Sequence, residues 1–236
     1  MWSATRFCFG TFFFLSYVND LPKIINKTSA PIMFAGDTGI LFAHSTLIDF
    51  NKNIHIVFTT LNKWLRANQL SLNFNKTNYV HFTTKRNMTV NLKIGFNNNF
   101  ITNNSNTKFL GVTMDNTLSW NNHIDSLVKK LSTACSIIRN AKPHVYLIIK
   151  NVLLCFFFHS AMSNGIIFWG NLSHTSIIFR IQKKAIRIME GCGNRVSCTN
   201  LFKKLQILPL TSQYMLTLLM FVVKKKFFLL TMKVTI

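Results

Sequence analysis

Carboxylates are scarce in this chain, and their positions limit the chemistry that it could perform. Its 236 residues include six acids, which are Asp20, Asp37, Asp49, Asp115, Asp125 and Glu190. Phosphoryl transfer assisted by two metal ions needs several carboxylates that converge on one point. Because the six acids are spread along the chain, we expect no metal site beyond the one considered for Asp37.

The acid with the most informative surroundings is Asp37. The apolar run Ile32-Met33-Phe34 leads to a small corner, Ala35-Gly36, and a second apolar run, Ile40-Leu41-Phe42, follows shortly after Asp37. This pattern predicts a tight hairpin in which two buried strands hold one polar tip.

The charge of the chain is strongly one-sided. It contains 27 Lys and Arg residues against the six acids, a net charge of +21. Such an excess attracts polyanions, either nucleic acid or an anionic membrane surface. A compositional bias toward Lys, Asn, Ile and Phe is the alternative explanation.

The cysteines and the apolar segments bear on the cellular compartment. The five cysteines form no regular framework, which favours reduced thiols in an intracellular protein, in the cytoplasm or nucleus. Cys192 and Cys198 are close in sequence, but no second pair of ligands lies beside them at zinc-site spacing. We find no clear targeting signal, and the apolar segment Met215–Val223 is too short to span a membrane. A membrane partner is therefore not expected.

Regular elements are indicated by the spacing of apolar residues. An amphipathic helix is predicted from Leu47 to Leu65, with Ser45 as its cap and Trp64 in the core. Alternation predicts short strands at 70–74 and 79–82, and a hairpin that pairs 90–94 with 107–115.

Two later helices combine an apolar stripe with basic residues. The first begins at Trp120 and Asn121 and carries Lys129 and Lys130 away from its apolar face. In the second, the apolar face is opposed by Arg180, Lys183, Lys184 and Arg187. A basic amphipathic helix suits nucleic acid or a membrane surface, although a solvated face is the alternative. A last helix is predicted over Leu201–Leu210, closed by Pro209.

Taken together, these motifs resemble a known family. Phe34-Ala35-Gly36-Asp37 is similar to the catalytic hairpin of reverse transcriptases from non-LTR retrotransposons of the jockey type, whose tip reads Phe/Tyr-Ala-Asp-Asp. Further stretches resemble that family in the same order along the chain: Gly10–Pro22, Leu70–Thr77, Phe109–Val112 and Gly165–Gly170. The ordered series covers most of the chain.

The resemblance implies a fold and a domain organisation. It implies an α+β fold with a partial palm over 1–116, in which helices pack on an antiparallel sheet. A thumb helix would follow over 117–142, and a helical C-terminal region over 143–236. The family's fingers and its other catalytic aspartate would precede residue 1, so we expect a fragment of an RNA-directed DNA polymerase.

The resemblance also implies roles for particular residues. Asp37 would be a catalytic ligand of Mg²⁺, and Lys76 would donate a proton near the leaving pyrophosphate. Phe109, Leu110 and Gly111 would belong to a strand that grips the primer. The basic residues would contact an RNA or DNA template-primer; they are Lys129, Lys130, Arg180, Lys183, Lys184 and Arg187.

One departure from the family decides what activity we expect. Gly36 replaces the first acid of the pair, and the single carboxylate of Asp37 cannot position two metal ions. We therefore predict no polymerase activity and no firm Mg²⁺ binding. A nucleic-acid-binding remnant without catalysis is the alternative function, and a basic membrane-associated protein is a third.

Overall fold

The computed structural model describes residues 16–25, 29–34, 37–43, 46–82, 92–141 and 154–234. Helices and short strands both occur, which confirms the α+β class. The chain divides into two compact units, residues 1–105 and 106–236. The first boundary predicted from the sequence was 116, and the difference arises because the strand before that point packs on the helix that follows it.

Unit 1 holds the candidate catalytic hairpin. Its described elements are α1 (Leu21–Ile25), β1 (Ala30–Phe34), β2 (Asp37–Leu41), α2 (Leu47–Ala67), β3 (Asn78–Tyr79), β4 (Gly95–Phe96), β5 (Asn99–Phe100) and β6 (Thr102–Asn103). Its core joins α1, α2 and the loop residue Ile94.

Unit 2 is mainly helical. Its described elements are β7 (Asn106–Phe109), β8 (Val112–Asp115), α3 (Asn121–Ala141), a π-helical turn (Leu154–His159), α4 (Ser160–Ser163), α5 (Ile166–Trp169), α6 (Thr175–Glu190), α7 (Thr199–Lys204) and α8 (Leu210–Val234).

The strands that the structure describes do not form the single antiparallel sheet that a palm would require. The described strands make four separate two-stranded sheets, β1–β2, β3–β6, β4–β5 and β7–β8. The β3–β6 pair is parallel, and the other three are antiparallel. The α+β class was therefore predicted correctly, whereas the continuous sheet was not found among the described residues.

Helix α2 confirms the helix predicted from its periodicity, with one correction at the start. The cap is Thr46, whose side chain accepts a hydrogen bond from the backbone of Asp49 at 3.2 Å. Ser45, the predicted cap, lies outside the described residues. Trp64 is buried, as expected for a core residue, together with the neighbours that share its face: Ile54, Val57, Phe58 and Leu61.

The strands predicted at 70–74 and 79–82 are largely absent. Leu70, Leu72 and Phe74 pack against the core of unit 1, but no ladder forms there, because the chain turns at once through Asn73. The carbonyl of Asn73 accepts hydrogen bonds from the backbone of both Lys76 and Thr77. Strand pairing is confined to Asn78–Tyr79.

The predicted pairing of 90–94 with 107–115 is not found among the described residues, and residues 90 and 91 lie outside them. The segment 95–100 closes on itself, because Asn97 and Asn98 have positive φ and form a two-residue turn between β4 and β5. Strand β7 pairs with β8 in the same way, through a tight turn at Leu110 and Gly111. Asn and Gly adopt positive φ more readily than other residues, which favours such local hairpins.

The core of unit 2 centres on α3 and α6, which pack against each other. The apolar face predicted for each helix is buried in part: Leu131 and Ile138 on α3 and Ile178 and Ala185 on α6 are buried, whereas Ile177 of the face predicted for α6 is 40% exposed. Helix α6 ends at Gly191, which has the left-handed φ of 72° that favours glycine at a helix end.

The single helix predicted over Leu201–Leu210 is in fact two. Helix α7 stops at Lys204, and α8 begins at Leu210. The buried side chain of Gln182 clamps the segment between them: its Nε2 donates to the carbonyl of Leu208 and its Oε1 accepts from the backbone of Leu210, both at 2.9 Å. Pro209 therefore precedes a helix instead of closing one.

The clamp predicts that Gln182→Leu destabilises unit 2. A buried backbone N–H that loses its partner costs about 1–3 kcal/mol, and we expect a loss of that size in the free energy of unfolding, measured with urea. Gln213→Leu on α8 is the matched control, since the Gln213 side chain bonds to no described residue, and its loss should stay below about 0.5 kcal/mol. Equal losses for both variants would show that the clamp is not a specific contact.

Candidate nucleic-acid interface

The hairpin that carries Asp37 forms as predicted. Strands β1 and β2 pair in antiparallel register, with Phe34 opposite Asp37, so Asp37 is the first strand residue after the tip. The tip residues Ala35 and Gly36 lie outside the described part of the chain. The side chain of Asp37 is exposed.

The two strands are less buried than the sequence predicted. One face of the hairpin packs on the core of unit 1 through Met33 and Ile40. The other face carries Asp37 and leaves three apolar side chains exposed, with Ile32 at 40%, Phe34 at 60% and Leu41 at 52%. Only one face of the hairpin is covered by described residues, because the core of unit 1 packs on the side of Met33 and Ile40.

Lys76 lies in the turn that follows Asn73. Its backbone N–H donates to the Asn73 carbonyl at 3.1 Å, and the residue is exposed. Among the described residues, no ion pair joins Lys76 to Asp37. The predicted catalytic roles of both residues stay predictions.

Four other acids either make local contacts or are exposed. Asp49 accepts from the Thr46 hydroxyl at 2.6 Å, and Glu190 forms an ion pair with Lys204. Asp20 lies in an exposed turn, and Asp125 is exposed on α3. Within the described ranges, no group of three or more His, Cys, Asp and Glu side chains is placed to hold a metal ion.

The predicted primer-gripping strand is a turn. Leu110 and Gly111 connect β7 to β8 with φ values of 49° and 81°, while Phe109 ends β7. The amide of Asn164 covers the turn and donates to the Leu110 carbonyl at 3.3 Å. A Cβ on Gly111 would come within 2.7 Å of that amide, so close packing by Asn164 explains the glycine.

The basic residues of α3 and α6 divide into two groups. Lys129 and Lys130 on α3, and Arg180 and Lys184 on α6, are exposed. Lys183 and Arg187 are half-buried. The Lys183 ammonium lies 4.6 Å from the ring centroid of Phe179, and the Nε of Arg187 donates to the Val196 carbonyl at 2.8 Å. The sequence treated all of the α6 cations as one face, whereas the structure separates them.

A polar group that sequence reasoning missed lies at the start of α3. The buried carboxylate of Asp115 accepts from the Thr117 hydroxyl at 2.6 Å, from the Ser119 backbone at 2.9 Å and from the Trp120 backbone at 2.8 Å. Burial raises the pKa of Asp115, but these hydrogen bonds outweigh burial and hold the pKa well below its usual range. Asp115 therefore stays ionised and fixes the entry into α3.

His123 lies in the first turn of α3 and is also buried. Burial lowers its pKa, and the charge of Lys130 adds to that effect, so the ring is neutral at pH 7. The backbone N–H of Thr113 donates to Nδ1 at 3.3 Å, which places the ring proton on Nε2. Nε2 has no partner among the described residues, and the centroid of the His123 ring lies 6.0 Å from that of the Trp169 ring.

Two of the three described cysteines are packed in the interior. Cys135, Cys192 and Cys198 are free, and Cys135 and Cys198 are buried. Burial raises the pKa of the Cys135 thiol against the opposing charges of Lys184 and Arg139. A protonated, buried thiol is a poor nucleophile.

No protein family, curated protein or solved structure matches this chain. Within the described residues, none of the helices has both the length and the apolar character needed to cross a membrane. Helix α8 nevertheless exposes a run of apolar side chains: Met215, Leu216, Leu219, Met220, Phe221, Val222 and Val223.

The turn at Gly111 predicts that Gly111→Ala destabilises unit 2. The alanine would have to keep a positive φ and displace the Asn164 amide, so we expect a loss of about 1–3 kcal/mol in the free energy of unfolding. Gly193→Ala is the matched control, because nothing lies within 4 Å of its added Cβ. Adding Asn164→Ala to Gly111→Ala should recover part of the loss, and no recovery would exclude the clash as a cause.

Proposed function

We propose that this chain is a non-catalytic derivative of a reverse-transcriptase polymerase domain that retains affinity for nucleic acid. The order of the hairpin, the long helix, the second hairpin and the basic helices supports the proposal. The observation that carries it is the β1–β2 hairpin, because its register puts Asp37 directly after the tip, at the position of the retained acid in the resembled motif.

The loss of catalysis follows from the supply of carboxylates. In the resembled family, the hairpin tip provides two acids for the metal ions, and here Gly36 occupies the first position. Among the other acids, the carboxylates of Asp115 and Glu190 are engaged by hydrogen bonds or an ion pair, and the carboxylate of Asp49 accepts from the Thr46 hydroxyl. Asp37 is the acid that the strand register places directly after the tip, and one carboxylate holds two Mg²⁺ ions poorly.

Affinity for nucleic acid follows from the uncompensated positive charge. The net charge is +21, and the exposed cations Lys129, Lys130, Arg180 and Lys184 lie on two helices that pack against each other. Several lysines and arginines on one unit can neutralise neighbouring phosphates and release their counterions.

The activity part of the proposal predicts the outcome of primer extension on an RNA template with Mg²⁺. We expect no extended product from the native chain, because a second metal ligand is missing at the tip. Gly36→Asp restores the paired acids, and product from this variant alone would identify the hairpin as a polymerase site. Product from the native chain would contradict the proposed loss of catalysis.

The binding part predicts a steep dependence of duplex affinity on salt. Replacing Lys129, Lys130, Arg180 and Lys184 by Gln should weaken binding and lower the slope of log affinity against log salt by about 0.9 for each lost phosphate contact. The comparison variant removes equal charge from other lysines of the chain: Lys52, Lys63, Lys93 and Lys108. An equal change in both variants would show attraction by net charge alone, without an interface on α3 and α6.

A further inference from the structure

A basic cleft lies between α6, the loop after it and α7. Its volume is about 770 Å³, within the range of about 300–1,000 Å³ that is usual for small-molecule sites. Lys183 and Arg187 from α6 and Lys203 from α7 line it, together with the hydroxyl residues Ser197 and Thr199. None of the described residues along its wall is acidic.

Two of the three cations are held in place by contacts within the cleft. The Lys183 ammonium rests over the ring of Phe179, and that ring stacks on Phe202 with centroids 6.2 Å apart. The Nε of Arg187 donates to the Val196 carbonyl at 2.8 Å, and its two terminal nitrogens have no hydrogen-bond partner among the described residues. Restrained cations lose less conformational entropy when they bind an anion.

Glu190, the acid nearest in sequence to Arg187, does not neutralise the three cations of the cleft. Glu190 ends α6, but its Oε2 is engaged by Lys204, and neither residue lines the cleft. Three positive charges thus share one concave space, where the low-dielectric wall strengthens their attraction for an anion.

We propose that this cleft binds a phosphate ester. A guanidinium and two ammonium groups match the charge and the several acceptor oxygens of a phosphate. The Thr199 hydroxyl, which accepts from the Ser197 hydroxyl at 3.4 Å, can donate a further hydrogen bond. The organic part of the ligand lies against the apolar wall that Phe202 and Ile207 provide. The ligand is either a free nucleotide or the terminal phosphate of a nucleic-acid strand, since both present the same group.

This site extends beyond the proposed function and does not depend on it. Duplex binding was assigned to exposed residues, namely Lys129, Lys130, Arg180 and Lys184, which do not line the cleft. A chain that fails to bind duplex nucleic acid can therefore still bind a phosphate ester here, and the reverse also holds.

Isothermal titration of the full chain tests the cleft with four probes: inorganic phosphate, adenosine 5′-monophosphate, a short 5′-phosphorylated single-stranded DNA, and adenosine. We expect the three phosphate-bearing probes to bind and adenosine not to bind. The double variant Lys183→Gln/Lys203→Gln should weaken phosphate binding at least about tenfold, because it removes two charged donors.

The matched control is Lys52→Gln/Lys63→Gln, which removes the same charge from two exposed lysines of α2 that do not line the cleft, and its affinity should stay within about twofold of native. Thermal unfolding monitors folding, and Lys203→Gln alone, at an exposed position, serves if the double variant unfolds. Tighter binding of the mononucleotide supports a nucleotide ligand, and tighter binding of the oligonucleotide supports a strand terminus. No binding of any phosphate probe, equal binding of adenosine, or equal weakening by the control would overturn the proposal.

Discussion

The structure of unit 2 depends on the buried contact between α3 and α6. Leu131, Ile138, Ile178 and Ala185 are almost fully buried there, and each large aliphatic side chain contributes about 1.5–3 kcal/mol when it leaves water. Gln182 lies on the same buried side of α6, and its side-chain amide donates one hydrogen bond to, and accepts another from, the backbone that leads into α8. Because α6 uses one side for this core, its cations are confined to the other side, where they line the cleft or face solvent.

The helices could be predicted from the sequence because their signal is local. The stripes of α2, α3 and α6 repeat at helical spacing, and the residues that the pattern assigned to the core are mostly buried. The strand predictions were less accurate. An alternating pattern such as Leu70-Ser71-Leu72 indicates which side chains face a core, but it does not indicate which other segment the backbone will pair with. The break between α7 and α8 depends on Gln182, a contact across 26 residues, and no local pattern contains that information.

In the candidate site, too, local features could be predicted from the sequence and features that depend on distant contacts could not. The hairpin and the position of Asp37 could be predicted from the sequence. The exposure of Phe34 could not, because it depends on which parts of the chain pack over each face of the hairpin. Asp115 was missed, although the spacing of Asp115, Thr117 and Ser119 before a helix is a capping signal that could have been used. The cleft could not have been anticipated, since Lys183 and Lys203 meet only through the packing of α6 on α7.

The scarcity of acids links the two proposals. Since Asp49, Asp115 and Glu190 are all committed to local contacts, little negative charge is left to neutralise 27 cations, and anions from outside must supply the rest. Exposed cations attract any polyanion, but salt screens them over a Debye length of about 8 Å. Cations inside a concave wall are screened less and are fixed in geometry. The same excess of charge can therefore give non-selective attraction on the surface and selective recognition of one phosphate in the cleft.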